Sequence, residues 1–311
     1  MALTVSGAES STKATRLGAA FSLVCLSVVG ALLADISKGE NHEYEYNPLT
    51  VPPVVELTKA VISCVAWLRT GSRVSIHAFD PAAYLLYAIP AACYFVSNSC
   101  MFFIVHDLGA SQYQILSTMK IFFTAYLMHV FLGRKLSRRQ VASTCILVVG
   151  VFLTQLRSRS IAPTHIHLRG YLTALLACVS SSVGGVCSEK ILRWKCSVDH
   201  GNIHYKNMQL YTWGFAFGMG SWALTNSATP ARNFFKGYDV VVCAIVVVLS
   251  LSGVSVSYLL KYTDSLVKSM LTALAIAVTT CIQVLRGIDE FSYRLLCGII
   301  LIVQALRLYA S

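Results

Sequence analysis

The sequence predicts an all-α integral membrane protein, with ten transmembrane helices arranged as two inverted five-helix repeats. Three observations carry that prediction. Of the 311 residues, 56% are hydrophobic and only 13% charged, against about 25% charged in an ordinary soluble domain. Apolar runs near the roughly 20 residues that a helix needs to cross a bilayer recur along the whole chain, where a β-barrel would show short alternating segments. The two halves also echo one another. TAYLMHVFLGRKLSRRQVASTCILVVGVFL (124–153) reads helix, Gly, polar turn, Ser, helix, and TTCIQVLRGIDEFSYRLLCGIILIVQAL (279–306) has the same layout, with Gly133 and Gly287 154 positions apart. Arg16 and Gly30 are echoed in the same way by Arg169 and Gly184. Five helices per half means that the two copies insert upside down, a transporter arrangement with the substrate site near the midplane.

In order, helices are expected near 17–36, 51–69, 82–105, 109–132, 139–156, 170–192, 205–226, 238–260, 264–285 and 291–309. The polar segment 1–16 precedes the first, which reads as a retained helix and not a cleaved signal. The first half is residues 17–156, a loop covers 157–169, and the second half is 170–311. An even helix count puts both termini on one side. Fifteen lysines and arginines fall at the termini and in the even-to-odd loops, eight in the opposite loops. The positive-inside rule therefore places both termini in the cytosol and the 157–169 loop in the lumen.

The net charge of +11 does not point to nucleic acid. The basic residues sit in short loops, with no basic stripe and no interleaved aromatic platform. The eleven cysteines form no CxxC pair and no metal-ligand spacing, so they read as small buried hydrophobes. No metal site and no cofactor is expected. No carboxylate pair, Ser-His-Asp set or ligand cluster stands out, which argues against an enzyme. GFAFG (214–218) offers a close-packing face, expected to serve the bundle. Oligomeric state is not readable.

Charge at bilayer depth is expensive, so polar residues inside the apolar runs are functional candidates. Glu56 and Lys59 in VVELTKAVI stand three apart on one helical face. A structural ion pair and a gating role both fit them. Lys120, in QYQILSTMKIFF, has no carboxylate within four residues on either side. Tyr113, Ser117 and Lys120 form a polar stripe at i, i+4 and i+7. Tyr94 and Asn98 repeat the i, i+4 spacing, as do Asn207 and Tyr211, and Asp264, Lys268 and Thr272. Lys268 is near a helix end, where pairing with Asp264 is the ordinary explanation. Two lysines with hydroxyls, amides and aromatic faces suit an anion carrying a flat ring. Lysines attract phosphate as point charges, tyrosines stack on bases, and amides read base edges.

At these residues the chain resembles the nucleotide-sugar transporters, in the branch with CMP-sialic acid, UDP-galactose and UDP-N-acetylglucosamine transporters, within the drug/metabolite transporter superfamily. The likeness runs from about residue 51 to the C-terminus. It is carried by ELTK (56–59), YQILSTMKIFFTA (113–125), GVCSEKIL (185–192), KNMQLY (206–211) and SGVSVSYLLKYTDSLVKSMLTALAIA (252–277). The resemblance implies a Golgi antiporter, with the endoplasmic reticulum as the other organelle. It would exchange a cytosolic nucleotide sugar for the lumenal nucleoside monophosphate by alternating access, within a lipid bilayer and without a cofactor. UDP-galactose and UDP-N-acetylglucosamine lead over CMP-sialic acid. The resemblance makes Lys120 and Lys268 the phosphate lysines. It puts Tyr94, Asn98, Tyr113, Asn207 and Tyr211 in the nucleotide pocket, with Ser117 beside them. Glu56, Lys59, Glu189, Lys190 and Asp264 become gating or structural charges. The family often reads YQVTYQLK where this chain reads YQILSTMK, so Ser117 and Thr118 stand in for an aromatic and an amide. The alternatives are a carrier of sugar phosphates or other organic anions on the same fold, a membrane-embedded transferase, and a non-transporting scaffold.

Overall fold

A computed structural model describes residues 2–37, 44–70, 81–108, 110–155, 168–193, 202–225, 233–287 and 291–310. The expected 157–169 loop lies outside these residues apart from Leu168 and Arg169, and so does most of the acidic stretch after the first helix. The described residues are mostly helical. Its helices are α1 Ala2–Ile36, α2 Val51–Arg69, α3 Pro81–Leu86, α4 Ala88–Leu108, α5 Ala110–Thr118 and α6 Lys120–Leu132, followed by α7 Arg138–Gln155, α8 Leu168–Arg193, α9 Ile203–Thr225, α10 Val240–Tyr262, α11 Ser265–Leu285 and α12 Tyr293–Ala310. Among the described residues, six helical stretches are long and apolar enough to cross a membrane: Thr15–Ile36, Pro48–Arg69, Ile115–Leu132, Leu168–Arg193, Val240–Tyr262 and Ser265–Leu285. Large apolar side chains such as Phe21, Val61, Tyr126, Phe131, Leu172 and Val247 are exposed on them, as a lipid-facing surface requires.

Three boundaries differ from expectation. Helix α1 runs back through the polar N-terminal segment to Ala2. The expected third helix is broken at Tyr87. Pro90, three residues beyond the break, has no N–H to return to the carbonyl of Leu86. The expected fourth helix is broken at Met119 without any Gly or Pro. There the amide of Met119 bonds to the carbonyl of Leu116 at 2.9 Å and the amide of Phe122 to Met119 at 3.1 Å, both i to i−3. This single tight turn sits in the middle of an apolar run. Lys120 is the first residue after it.

The chain divides into two units, residues 1–92 with 188–264 and residues 93–187 with 265–311. It passes between them within α4, within α8 and at the α10–α11 junction. In the first unit α2 and α9 run antiparallel. Gly218 lies on Pro53, Gly214 on Glu56 and Tyr211 beside Lys59, while Trp67 meets Tyr205 with ring centroids 6.1 Å apart. The GFAFG motif therefore packs within the bundle: a Cβ on Gly214 would come within 2.8 Å of the Glu56 carboxylate. Helix α10 covers α1, with Gly30 against Leu249, and Val242, Ile245 and Val246 close a core with Tyr46, Val51 and Val55.

In the second unit α7 and α12 approach backbone to backbone. A Cβ on Gly298 would lie 2.6 Å from the carbonyl oxygen of Gly150, and Ser143 donates to the carbonyl of Ala305 at 2.7 Å. Around this seam Ile121, Met128, Leu147, Val151, Leu266, Met270 and Ile302 form the largest apolar core. A second cluster joins α4 to α8 through Cys100, Ile104, Leu108, Ala174 and Ala177. Gly133 and Gly287 both adopt positive φ, 64° and 71°, the left-handed conformation with which helices commonly stop.

Candidate functional site

The tight turn at Met119 is held from outside the helix. Interrupting a helix at bilayer depth leaves carbonyls that water cannot satisfy. Helix α8 supplies the donors: Cys178 Sγ lies 3.3 Å from the carbonyl of Leu116, and one turn later Ser182 Oγ donates to the carbonyl of Lys120 at 2.9 Å. Thr124 Oγ1 reaches the same Lys120 carbonyl at 2.8 Å. The backbone that carries Lys120 is thus fixed on both sides of the break, while its side chain is left to other work.

Lys268 stands in the first turn of α11. A cation there opposes the helix dipole, so its place does not arise from helix stability. Its ammonium donates to Tyr94 Oη at 3.3 Å and lies 4.8 Å from the centre of the Tyr94 ring. Lys120 and Lys268 belong to the same unit. Among the described residues neither has a carboxylate within 4 Å. Cations without a nearby carboxylate among the described residues, one of them against a phenol, can attract an anion. A Cβ on Gly185 would lie 3.9 Å from Tyr94 Oη, and the Gly185 carbonyl accepts from Ser265 Oγ at 2.9 Å, tying the start of α11 to α8. Of the other expected residues in this unit, Tyr113 packs against the α4–α8 apolar cluster. Asn98 is exposed on α4 and Ser117 is half-buried on α5.

The charges of the first unit are organised differently. Glu56 and Lys59 form an ion pair with 2.5 Å between Oε1 and Nζ. Lys59 also lies 4.4 Å from the centre of the Tyr211 ring. Tyr211 Oη shares a hydrogen bond with Ser257 at 2.7 Å and donates to the carbonyl of Gly253 at 3.3 Å. Glycine at 253 makes room for the lysine stem, because a Cβ there would be 2.5 Å from Lys59 Cδ. Glu189, fully buried, is joined to Arg193 at 3.4 Å. Arg193 reaches Asp264 as well, at 3.3 Å. Lys190 is exposed. Asn207 is fully buried, and neither its amide nitrogen nor its amide oxygen has a hydrogen-bond partner among the described residues. A donor and an acceptor left unmet in this way cost stability and suit a bound polar group.

Sequence reasoning singled out both lysines as candidates and anticipated the Glu56–Lys59 pair. It missed Ser182 and Cys178, whose polar atoms look ordinary in an apolar run, and it took Arg193 for a loop charge. The i, i+4 spacing from Glu189 to Arg193 was the available signal. Among the described residues Asp264 pairs with Arg193 and not with Lys268. The ordinary explanation for Lys268 therefore does not hold.

The family model of the nucleotide-sugar transporters matches residues 19–310. The chain is 28% identical over 300 residues to CMP-sialic acid transporter 1 of Oryza sativa subsp. japonica, covering 92% of this chain and 91% of that protein. It is 29% identical over 284 residues to the UDP-N-acetylglucosamine transporter of Rattus norvegicus, covering 85% of each. It is 27% identical over 290 residues to UDP-galactose translocator 1 of Caenorhabditis elegans, covering 87% and 80%. A solved crystal structure shares the fold with a TM-score of 0.69 at 17% identity, over 95% of this chain and 96% of that one. The helical architecture, the membrane-length apolar helices and the match over nearly the whole chain agree: this multi-pass membrane protein belongs to the nucleotide-sugar transporter family.

Proposed function

We propose that the protein is a Golgi antiporter that takes a cytosolic nucleotide sugar into the lumen in exchange for a nucleoside monophosphate, by alternating access. The single observation that carries the proposal is the pair of lysines, Lys120 and Lys268, embedded in one unit with no carboxylate within 4 Å of either among the described residues. A diphosphate or monophosphate supplies the missing charge, and the phenol of Tyr94 holds the Lys268 ammonium ready for it. Asn207, with a donor and an acceptor unmet among the described residues, is a separate candidate contact for a polar group. Tyr211, Tyr113, Asn98 and Ser117 take the pocket-lining roles that the family resemblance gives them.

The names of the relatives span CMP-sialic acid, UDP-N-acetylglucosamine and UDP-galactose. Their common elements are a pyrimidine base and phosphate. We take UDP-galactose and UDP-N-acetylglucosamine as the first cargoes to test and CMP-sialic acid as the next. The same lysines could serve a sugar phosphate, which competition by free nucleotides separates.

We further propose ten transmembrane helices in two inverted halves, with both termini cytosolic. Packing within the units supports this. Exchanging the halves maps the α2–α9, α6–α11 and α7–α12 pairs onto themselves and maps the α1–α10 pair onto the α4–α8 pair. The matching left-handed Gly133 and Gly287 fit the same exchange.

Counterflow in proteoliposomes tests the function. Vesicles are preloaded with UMP, CMP, GMP or AMP, and uptake of the matching labelled nucleotide is followed. Saturable uptake of UMP, CMP or both is expected. No uptake of any of the four, from protein shown to be folded, would refute nucleotide exchange.

A further inference from the structure

The α10–α11 junction is clamped by one side chain. Helix α10 ends at Tyr262, Thr263 is extended (φ −134°, ψ −167°), and α11 begins at Ser265. Arg193, the last residue of α8, spreads its guanidinium over this junction. Nε donates to the carbonyl of Leu260 at 3.2 Å, and one terminal nitrogen donates to the carbonyl of Thr263 and to Asp264 Oδ1, the latter at 3.3 Å. The other terminal nitrogen faces buried Glu189 at 3.4 Å. A planar fork of five donors suits such a set of acceptors, and a lysine could not reproduce it.

The clamp has a consequence for binding. Asp264 lies one residue before α11 and four before Lys268, so its carboxylate is the acidic group nearest to Lys268 in the sequence. An ion pair there would neutralise Lys268 and compete directly with an incoming phosphate. Instead the Asp264 carboxylate is engaged by Arg193, and the Lys268 ammonium is turned to Tyr94. Given the phosphate role assigned to Lys268 above, we propose that Arg193 is a positioning residue that withholds Asp264 from Lys268 and so keeps Lys268 available for the nucleotide's phosphate. Arg193 itself does not touch the ligand. A residue that merely caps α10 would explain the bonds to Leu260 and Thr263 but would give Asp264 no part in affinity.

The test is a set of dissociation constants for UMP and CMP, measured on purified full-length protein in detergent. Each variant is first checked for a monodisperse folded peak. Arg193→Gln should weaken binding at least tenfold. Asp264→Asn alone should bind within about twofold of the unaltered protein, since Lys268 is already free of the carboxylate. The double variant Arg193→Gln/Asp264→Asn should recover most of the loss, because the competing carboxylate is gone. Should Arg193→Gln not fold, Arg193→Lys takes its place, with a loss of at least threefold that Asp264→Asn reverses. An Arg193 variant that binds normally, or a loss that Asp264→Asn does not relieve, overturns the proposal. Lys268→Ala is measured beside them. If it binds as the unaltered protein does, the phosphate role of Lys268 is wrong and this inference falls with it. If it loses binding while the Arg193 variants do not, only the positioning role is wrong.

Discussion

In the unit formed by residues 1–92 and 188–264, the carboxylates of Glu56, Glu189 and Asp264 meet Lys59 and Arg193, and buried Lys206 donates to the carbonyl of Ile191 at 3.2 Å. In the unit formed by residues 93–187 and 265–311, Arg169 and Asp107 pair at 3.8 Å near helix ends, but among the described residues Lys120 and Lys268 have no carboxylate within 4 Å, and Lys268 lies against Tyr94. The contrast separates two uses of charge. A paired charge contributes to the fold, and losing one partner strands the other. An unpaired cation is a cost that the fold bears, and a ligand that supplies the anion relieves it. Each consequence can be set against its counterpart in the other unit.

The largest effect belongs to the unpaired lysines. Lys120→Ala should abolish exchange, with a loss of at least about 100-fold in counterflow rate, while thermal stability in detergent stays level or rises. Among the described residues no carboxylate within 4 Å would be stranded by removing this charge. Normal exchange by this variant would break the contrast. The reverse pattern is expected for Lys59→Ala. Glu56 would be left partly buried without its cation, at a cost of about 2 kcal/mol, visible as a melting temperature several degrees lower. Lys59→Ala/Glu56→Gln should recover part of that stability.

A steric change in the second unit should behave as the paired charges do and not as the lysines do. Gly298→Ala drives a methyl against the backbone of Gly150 and Thr154, at 2.6 and 2.9 Å, and should cost roughly 1–3 kcal/mol. Folded protein that survives should keep the same relative preference among nucleotides. The smallest effect is expected at the turn itself. Ser182→Ala removes one donor to the Lys120 carbonyl, worth about 1 kcal/mol. It should slow counterflow a few-fold by loosening the backbone beneath Lys120. An unchanged rate would mean that Cys178 and Thr124 hold the turn without it.

Much of the helical pattern was legible because membrane helices announce themselves by length and apolarity. The break at Tyr87 departed from the single helix expected over 82–105, although Pro90, which cannot complete the ladder, was a local signal for it. The break at Met119 was not, because its cause lies in α8, and no local rule joins Leu116 to Cys178 or Lys120 to Ser182 across about 62 residues. The two lysines were visible as charges out of place. Whether Lys268 paired with Asp264 was a question of geometry, and it turned on Arg193, which in sequence looks like any basic residue at a helix end. The first unit's Gly214 and Gly253 were visible as small residues, but their charged neighbours Glu56 and Lys59 come from another helix.

The most direct test of the central claim compares a ligand with and without its phosphate. Dissociation constants for UMP and uridine, and for CMP and cytidine, are measured on the unaltered protein and on Lys120→Ala and Lys268→Ala. If the unpaired lysines receive the phosphate, the unaltered protein prefers each monophosphate to its nucleoside by at least tenfold, and each variant loses most of that preference while nucleoside binding stays the same. If the variants keep the full preference for the monophosphate, the two lysines are not the phosphate site.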